Sequence, residues 1–218
     1  MRGQIWWKTF LRFHPVLAAL VLCGAFSLCA AEAPLEVADA SGARIQPFKL
    51  GENDSRLATL FIFTTIDCPV ANSYAPEISR IVKEYSPKDI RFFLVHVDPS
   101  VTAATALQHA KEYRLTLPVL LDPNHELVKY AGATVTPEAV LFDRAGLLLY
   151  RGRIDDRYFD YGKSRPDATV HDLRDALAAC VNHRSIANSR SKAVGCLIGD
   201  LKAATPKAVN EPSKEHKP

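Results

Sequence analysis

The chain has 218 residues, 27 Lys and Arg against 24 Asp and Glu, a formal net charge of +3, and 48% hydrophobic residues. That is enough for one domain of ordinary size with a real core. So even a charge balance gives no footing to nucleic acid or an acidic surface as partner. The first residues read as a processing signal: Arg2, Lys8 and Arg12 are positive, Val16 to Leu28 is apolar, and Cys29-Ala30-Ala31 offers small residues for cleavage. The apolar stretch is shorter than the ~20 residues of a spanning helix, so a membrane association is expected only if it stays uncleaved. The expectation is export to a periplasmic or extracellular location, with a mature chain beginning near Glu32 and close to neutral. Cys23 and Cys29 leave with the signal, so Cys68, Cys180 and Cys196 remain. An odd number in an oxidising compartment implies at least one unpaired or redox-active thiol.

In chain order, residues 34–57 are polar and turn-rich, with room for one short strand around Ala43 to Phe48. Strand, helix and strand are predicted over 57–63, 69–85 and 90–97. A helix over 101–113, a short strand over 118–121 and a helix over 124–130 follow. Glu138 to Phe142 and Leu147 to Tyr150 are apolar runs joined by Asp143-Arg144-Ala145-Gly146, a hairpin turn. Val170, Leu173, Leu177, Cys180 and Val181 mark one face of a last helix, with Thr169 and Asp172 in capping-box spacing. This alternation implies an α/β fold, a mixed sheet with helices on both faces. Signal (1–31), domain (32–181), an extension carrying Cys196 (182–201) and a tail (202–218) are the expected divisions. The tail is rich in Lys, Pro, Ala and Glu without an apolar period and reads as disordered.

Cys68 sits in Leu-Phe-Ile-Phe-Thr-Thr-Ile-Asp-Cys-Pro (residues 60 to 69), where a buried strand hands over to a helix. Pro69 suits a first helical turn, which needs no amide donor there. Unpaired N–H groups and the helix dipole favour an anion at that position and lower a thiol pKa, while Asp67 opposes the shift. Cys180 lies on the inward stripe of the last helix and reads as core. The seven histidines show no close metal-ligand spacing, and no metal or other cofactor is expected. His96 ends a strand near Cys68 as a candidate partner for the thiolate; His125 and His171 occupy helix starts, where an exposed structural role is expected.

With these elements placed, the chain resembles the thioredoxin-like superfamily, in the redoxin (alkyl hydroperoxide reductase/thiol-specific antioxidant-like) branch that also holds the peroxiredoxins. The resemblance spans roughly Pro34 to Val181. Cys68 opens the helix after the first core strand, Pro76 matches the proline that kinks this helix, and Thr136-Pro137 is followed by a hairpin and Gly152. There are departures. Ala71 replaces the second cysteine of Cys-x-x-Cys. Thr65, Cys68 and Pro69 match the peroxiredoxin pattern, but Phe61 stands where its proline belongs. Thr64 replaces the first cysteine of copper-delivering relatives.

The resemblance implies a thioredoxin-like mixed β-sheet flanked by helices on both faces, and a catalytic Cys68. It implies a substrate groove drawing on Thr65, Pro69, Thr136 and Pro137, with a cis Thr136–Pro137 peptide facing the thiol. The peroxiredoxin arginine falls near Pro137, so Arg151 or Arg153 would have to take its place, and Arg153 is counted with the substrate-binding residues. Cys196 lies in an apolar island, Ala-Val-Gly-Cys-Leu-Ile-Gly, past the last helix. Either that island simply docks on the domain, or it brings Cys196 to Cys68 as a resolving thiol, since many peroxiredoxins place theirs in such an extension. The segment from Ile154 to Gly162 is expected beside the Cys68 groove, as a partner surface or a self-packed loop. Three functions fit these residues. The first is an exported thiol–disulfide oxidoreductase acting on protein thiols and disulfides and reset by an external thiol reductant. The second is a thiol peroxidase acting on hydroperoxides, and the third a non-catalytic metal-binding or assembly factor.

Overall fold

The computed structural model describes residues 35–52 and 54–199; the expected signal segment and the tail from Lys202 lie outside them. A mixed sheet of seven strands forms the centre, in the order β2-β1-β5-β4-β3-β7-β8. These are β1 (Val37–Asp39), β2 (Arg44–Ile45), β3 (Ala58–Thr64), β4 (Ile90–His96), β5 (Val119–Leu121), β7 (Glu138–Asp143) and β8 (Leu148–Gly152). Strand β3 runs parallel to β4 and antiparallel to β7. All seven of its residues are buried, which is why its sequence is a continuous apolar run rather than an alternation. The single strand expected around Ala43 to Phe48 is instead the second arm of a β1–β2 hairpin, in which Val37 pairs with Ile45.

The alternation of β3 divides the core. Leu60 and Ile62 face the cluster beneath α2 (Ala75–Tyr85), α3 (Ala103–Glu112) and α5 (Asp172–Val181), whereas Phe61 and Phe63 face Leu127, Val128 and Ala131 of α4 (Glu126–Ala131). Helices thus cover both faces, and the fold is thioredoxin-like. The helix expected over 69–85 is two: α1 (Pro69–Ser73) and α2, parted at Tyr74 just before Pro76. A proline at the start of a helix needs no donor, but further in it would break the ladder.

The predicted cap of α5 is corrected. Thr169 does not pair with Asp172; its N–H and hydroxyl both bond Asp156 (2.6 and 2.7 Å). The residue before α5 is His171, without a side-chain cap bond. Val170 is exposed and stands off the buried stripe. His125 also departs from expectation: it is buried, and a ring nitrogen lies 2.8 Å from the Val97 carbonyl. His171 is exposed, as expected.

Candidate active site

Cys68 is the residue that starts α1. Its backbone is extended (φ −83°, ψ 105°), and its sulfur accepts a hydrogen bond from the Ala71 N–H at 3.4 Å. A serine or aspartate commonly fills this role with an oxygen; here the acceptor is a thiol that the same N–H stabilises as a thiolate. On its other side the Cys68 thiol donates to the Thr136 carbonyl at 2.9 Å. Thr136 belongs to β6 (Val135–Thr136), and the Thr136–Pro137 peptide is cis. Cys68 has no solvent exposure.

What covers it is the C-terminal extension. Cys196 and Leu197 form β11, which pairs antiparallel with β6, Cys196 opposite Thr136 and Leu197 opposite Val135. The Ile198 N–H continues the ladder to the Thr134 carbonyl at 3.0 Å. Gly195 lies so close to Thr136 that a β-carbon there would collide with the Thr136 carbonyl. The upstream part of the extension is stitched to β8. The Arg151 N–H donates to the Ser189 carbonyl (3.0 Å) and the Ser191 N–H to the Arg151 carbonyl (3.2 Å). Ser191 Oγ also lies 2.7 Å from the Tyr150 hydroxyl and accepts from the Arg153 N–H at 3.1 Å. Gly152 leaves the room this passage needs, because a β-carbon there would strike Ser191.

The two cysteines are free thiols, and each changes the other. Burial pushes the Cys68 thiol up, but polar contacts with the Cys196 thiol, the Ala71 N–H, Thr136 and the Cys196 backbone together outweigh it, leaving Cys68 below the ordinary thiol range. Cys196 moves the other way, to about 11, through burial and then through its proton's engagement with Cys68. Cys68 is therefore the more acidic thiol of the pair and Cys196 the less acidic. Cys180 is half-buried against the core, and burial raises its pKa.

Thr65 lies in the turn before Cys68, where its carbonyl accepts the Cys68 N–H at 3.5 Å, and Pro69 is exposed at the helix start. Arg153 is held by Asp172, its Nε 2.7 Å from a carboxylate oxygen. Arg151 donates to the Gly132 carbonyl at 2.6 Å and lies 3.9 Å from Glu138. Both guanidinium groups are engaged by other partners. His96 is not the partner of the thiolate: neither ring nitrogen has a hydrogen-bond partner among the described residues. Its ring instead meets His109 edge-on, with centroids 5.1 Å apart. Among the described residues no three His, Cys, Asp or Glu side chains gather as a metal-ligand group.

The segment from Ile154 to Gly162 is in part self-packed. Asp155 accepts from the Tyr74 hydroxyl at 2.6 Å, Arg157 stacks on the Tyr74 ring, and β9 (Tyr158–Asp160) pairs with β10 (Lys163–Ser164). Its tip reaches the extension, since Asp160 and Tyr161 line one depression with Val135, Lys192 and Cys196.

Two contributors escaped the sequence. Glu138 is buried and accepts from the Thr134 N–H at 2.7 Å, anchoring the loop that presents Thr136; a lone acid opening an apolar strand was its signal. Ser191 had none, because nothing local marks a serine that caps a distant tyrosine.

A scan against protein families matches residues 30–163 to Redoxin. No curated protein matches the chain. Among solved structures, an uncharacterized conserved protein from Geobacillus kaustophilus is 25% identical, with a TM-score of 0.64 over 81% of this chain and 91% of its own. A hypothetical protein from Sinorhizobium meliloti is 24% identical, with a TM-score of 0.63 over 76% of this chain and 90% of its own. A thioredoxin-like protein from Aeropyrum pernix aligns at 15% identity and a TM-score of 0.49, covering 70% and 90%.

Proposed function

The chain belongs to the Redoxin family and is a thiol-based redox protein, and from that premise we propose that it is an exported thiol–disulfide oxidoreductase whose redox pair is Cys68 and Cys196. The observation that carries this reading is the β6–β11 ladder, which sets Cys196 opposite Thr136, the residue whose carbonyl holds the Cys68 thiol. The absent Cys-x-x-Cys partner is supplied from a different part of the chain.

The chemistry follows from the two environments. With the extension lifted, the Cys68 thiolate attacks a sulfur of a partner disulfide. A Cys68–partner bond forms, the partner's disulfide breaks, and the electron pair leaves on the partner's second sulfur. The extension settles back, and Cys196, giving up its proton, attacks the Cys68 sulfur. The Cys68–Cys196 disulfide forms and the partner departs as a dithiol. An external thiol reductant then resets the pair. Export is part of the proposal, and a pair that cycles through a disulfide suits an oxidising compartment.

The test is non-reducing peptide mapping of the oxidised protein, with reduction of a disulfide-bonded substrate such as insulin as the activity. A Cys68–Cys196 crosslink and activity lost in Cys68→Ser are expected. Cys68 found free, or joined to Cys180, would overturn the pairing.

A further inference from the structure

Two buried histidines, His96 at the end of β4 and His109 on α3, take no part in the exchange chemistry. His109 nevertheless leads back to Cys68, through Asn72 of α1. The Asn72 amide nitrogen donates to the Ile66 carbonyl at 2.9 Å, and the amide oxygen lies 2.8 Å from Nε2 of His109. A carbonyl only accepts, so the Ile66 contact fixes which end of the amide is nitrogen. The oxygen then faces His109, and Nε2 must carry the proton. It keeps that proton whether or not Nδ1 gains one, so the tie holds in either charge state of the ring.

The place of this bridge matters because Cys68 lies inside it. Ile66 precedes the nucleophile and Asn72 follows it, so the amide bond closes a ring around the Cys68 turn. Backbone bonds hold that turn weakly: the Cys68 N–H meets the Thr65 carbonyl only at 3.5 Å, beyond the usual range. Helix α1 has five residues and ends at Tyr74, too short to be stable by its own cooperativity. Helix α3 is better founded, with a capping box between Thr102 and Thr105. Its His109 ring is set edge-on to His96, centroids 5.1 Å apart, and tilted against Tyr113 at 4.9 Å. A well-held ring thus steadies a lightly held turn.

We propose that Asn72 and His109 are positioning residues for the Cys68 nucleophile: His109 orients the Asn72 amide, and Asn72 holds the turn so that the Ala71 N–H stays aimed at the sulfur. This rests on Cys68 being the nucleophile proposed above and asks nothing of its partner thiol. Neither residue touches a reacting atom; both act through the turn. The N–H to sulfur contact is 3.4 Å long, so a small loosening of the turn weakens it and leaves the thiolate less stabilised.

The test reads Cys68 alone. The reduced full-length protein is labelled with iodoacetamide across a range of pH, and the Cys68 peptide is quantified by mass spectrometry. The midpoint of that profile reports the thiolate, whereas altered access changes the rate at every pH alike. Asn72→Ala and His109→Leu should each raise the midpoint by roughly half a pH unit or more. The double variant should go no further than either single one, since both break the same bridge. His109→Gln, whose amide N–H can meet the same oxygen, should keep the wild-type midpoint. An unmoved midpoint in Asn72→Ala overturns the proposal, and this half-buried position decides the matter if a His109 variant fails to fold. A His109→Gln midpoint shifted as far as that of His109→Leu overturns the hydrogen-bonded role of His109, and the proposal with it. A wild-type midpoint no lower than that of a free thiol overturns the activated nucleophile itself, a failure distinct from an Asn72 variant that keeps a lowered midpoint.

Discussion

Thr136 and Cys196 stand opposite each other in a two-residue antiparallel ladder, and the Thr136 carbonyl at the same time accepts the Cys68 thiol. One residue thus brings together two cysteines that are far apart in sequence. The attachment is a light one. Each net backbone hydrogen bond contributes only about 1 kcal/mol, and β11 is two residues long. Such a strand can lift to admit a partner and settle again, while the sheet beneath it stays intact.

The thiolate of Cys68 depends on its neighbour. Replacing Cys196 with Ala removes a proton donor from the Cys68 sulfur and leaves burial, which favours the neutral thiol, less opposed. The Cys68 pKa should therefore rise. Thiolate absorbance near 240 nm, followed against pH in Cys180→Ser and Cys180→Ser/Cys196→Ala proteins, checks this. A lower pKa in the Cys196→Ala protein would mean that the extension acts on Cys68 mainly by excluding water.

Gly195 should control closure. Valine there would meet the Thr136 carbonyl and push β11 off β6. Disulfide formation between Cys68 and Cys196 should slow by roughly tenfold or more, about 1.4 kcal/mol in the barrier. The melting temperature should scarcely move, because the displaced strand contributes little to the core. Quenched-flow alkylation during oxidation measures the rate; an unchanged rate would remove Gly195 from the machinery.

Hydrogen peroxide should oxidise Cys68 no faster than an ordinary free thiol. Arg153 is tied to Asp172 and Arg151 to the Gly132 carbonyl, so neither guanidinium is free to polarise a peroxide at the sulfur. Stopped-flow oxidation gives the rate. A value orders of magnitude higher, abolished in Arg151→Ala or Arg153→Ala, would establish a peroxidase instead.

His96 predicts an acid limit to stability. Burial first, and then the neighbouring His109, lower its pKa from 6.5 to about 4. Between those values the unfolded chain binds a proton that the folded protein refuses, so stability is full above pH 6.5 and falls as the pH drops toward 4. The loss is on the order of 3 kcal/mol. Urea unfolding at pH 7 and pH 4.5 should show a smaller difference in His96→Leu than in the wild type. An equal difference in both would place the acid sensitivity elsewhere.

Much of the architecture was legible because it is written in local patterns. The apolar run of β3 announced a strand buried on both faces, and Cys68-Pro69 announced a helix start. Where local signals misled, a tertiary partner had claimed the residue. Thr169 has capping-box spacing, yet Asp156, buried at 4% exposure, takes both its N–H and its hydroxyl. His125 sits at a helix start, yet its ring reaches the Val97 carbonyl in the interior. Arg153, counted with the substrate-binding residues by resemblance, is paired with Asp172, nineteen residues on.

The sequence by itself determined that Cys68 would sit between a core strand and a helix N-terminus, since periodicity, proline placement and the strand's composition all act over a few residues. It also marked the island around Cys196 as too apolar for a free tail, leaving open whether the island merely docks or serves Cys68. Only the tertiary structure decided where the island goes. That choice depends on the open edge of β6, on the two glycines that let backbone pass close, and on Ser191 meeting Tyr150 and Arg153. None of these contacts joins residues near in sequence, so no local pattern encodes them. They exist only once the sheet has formed and set its edge beside the thiol.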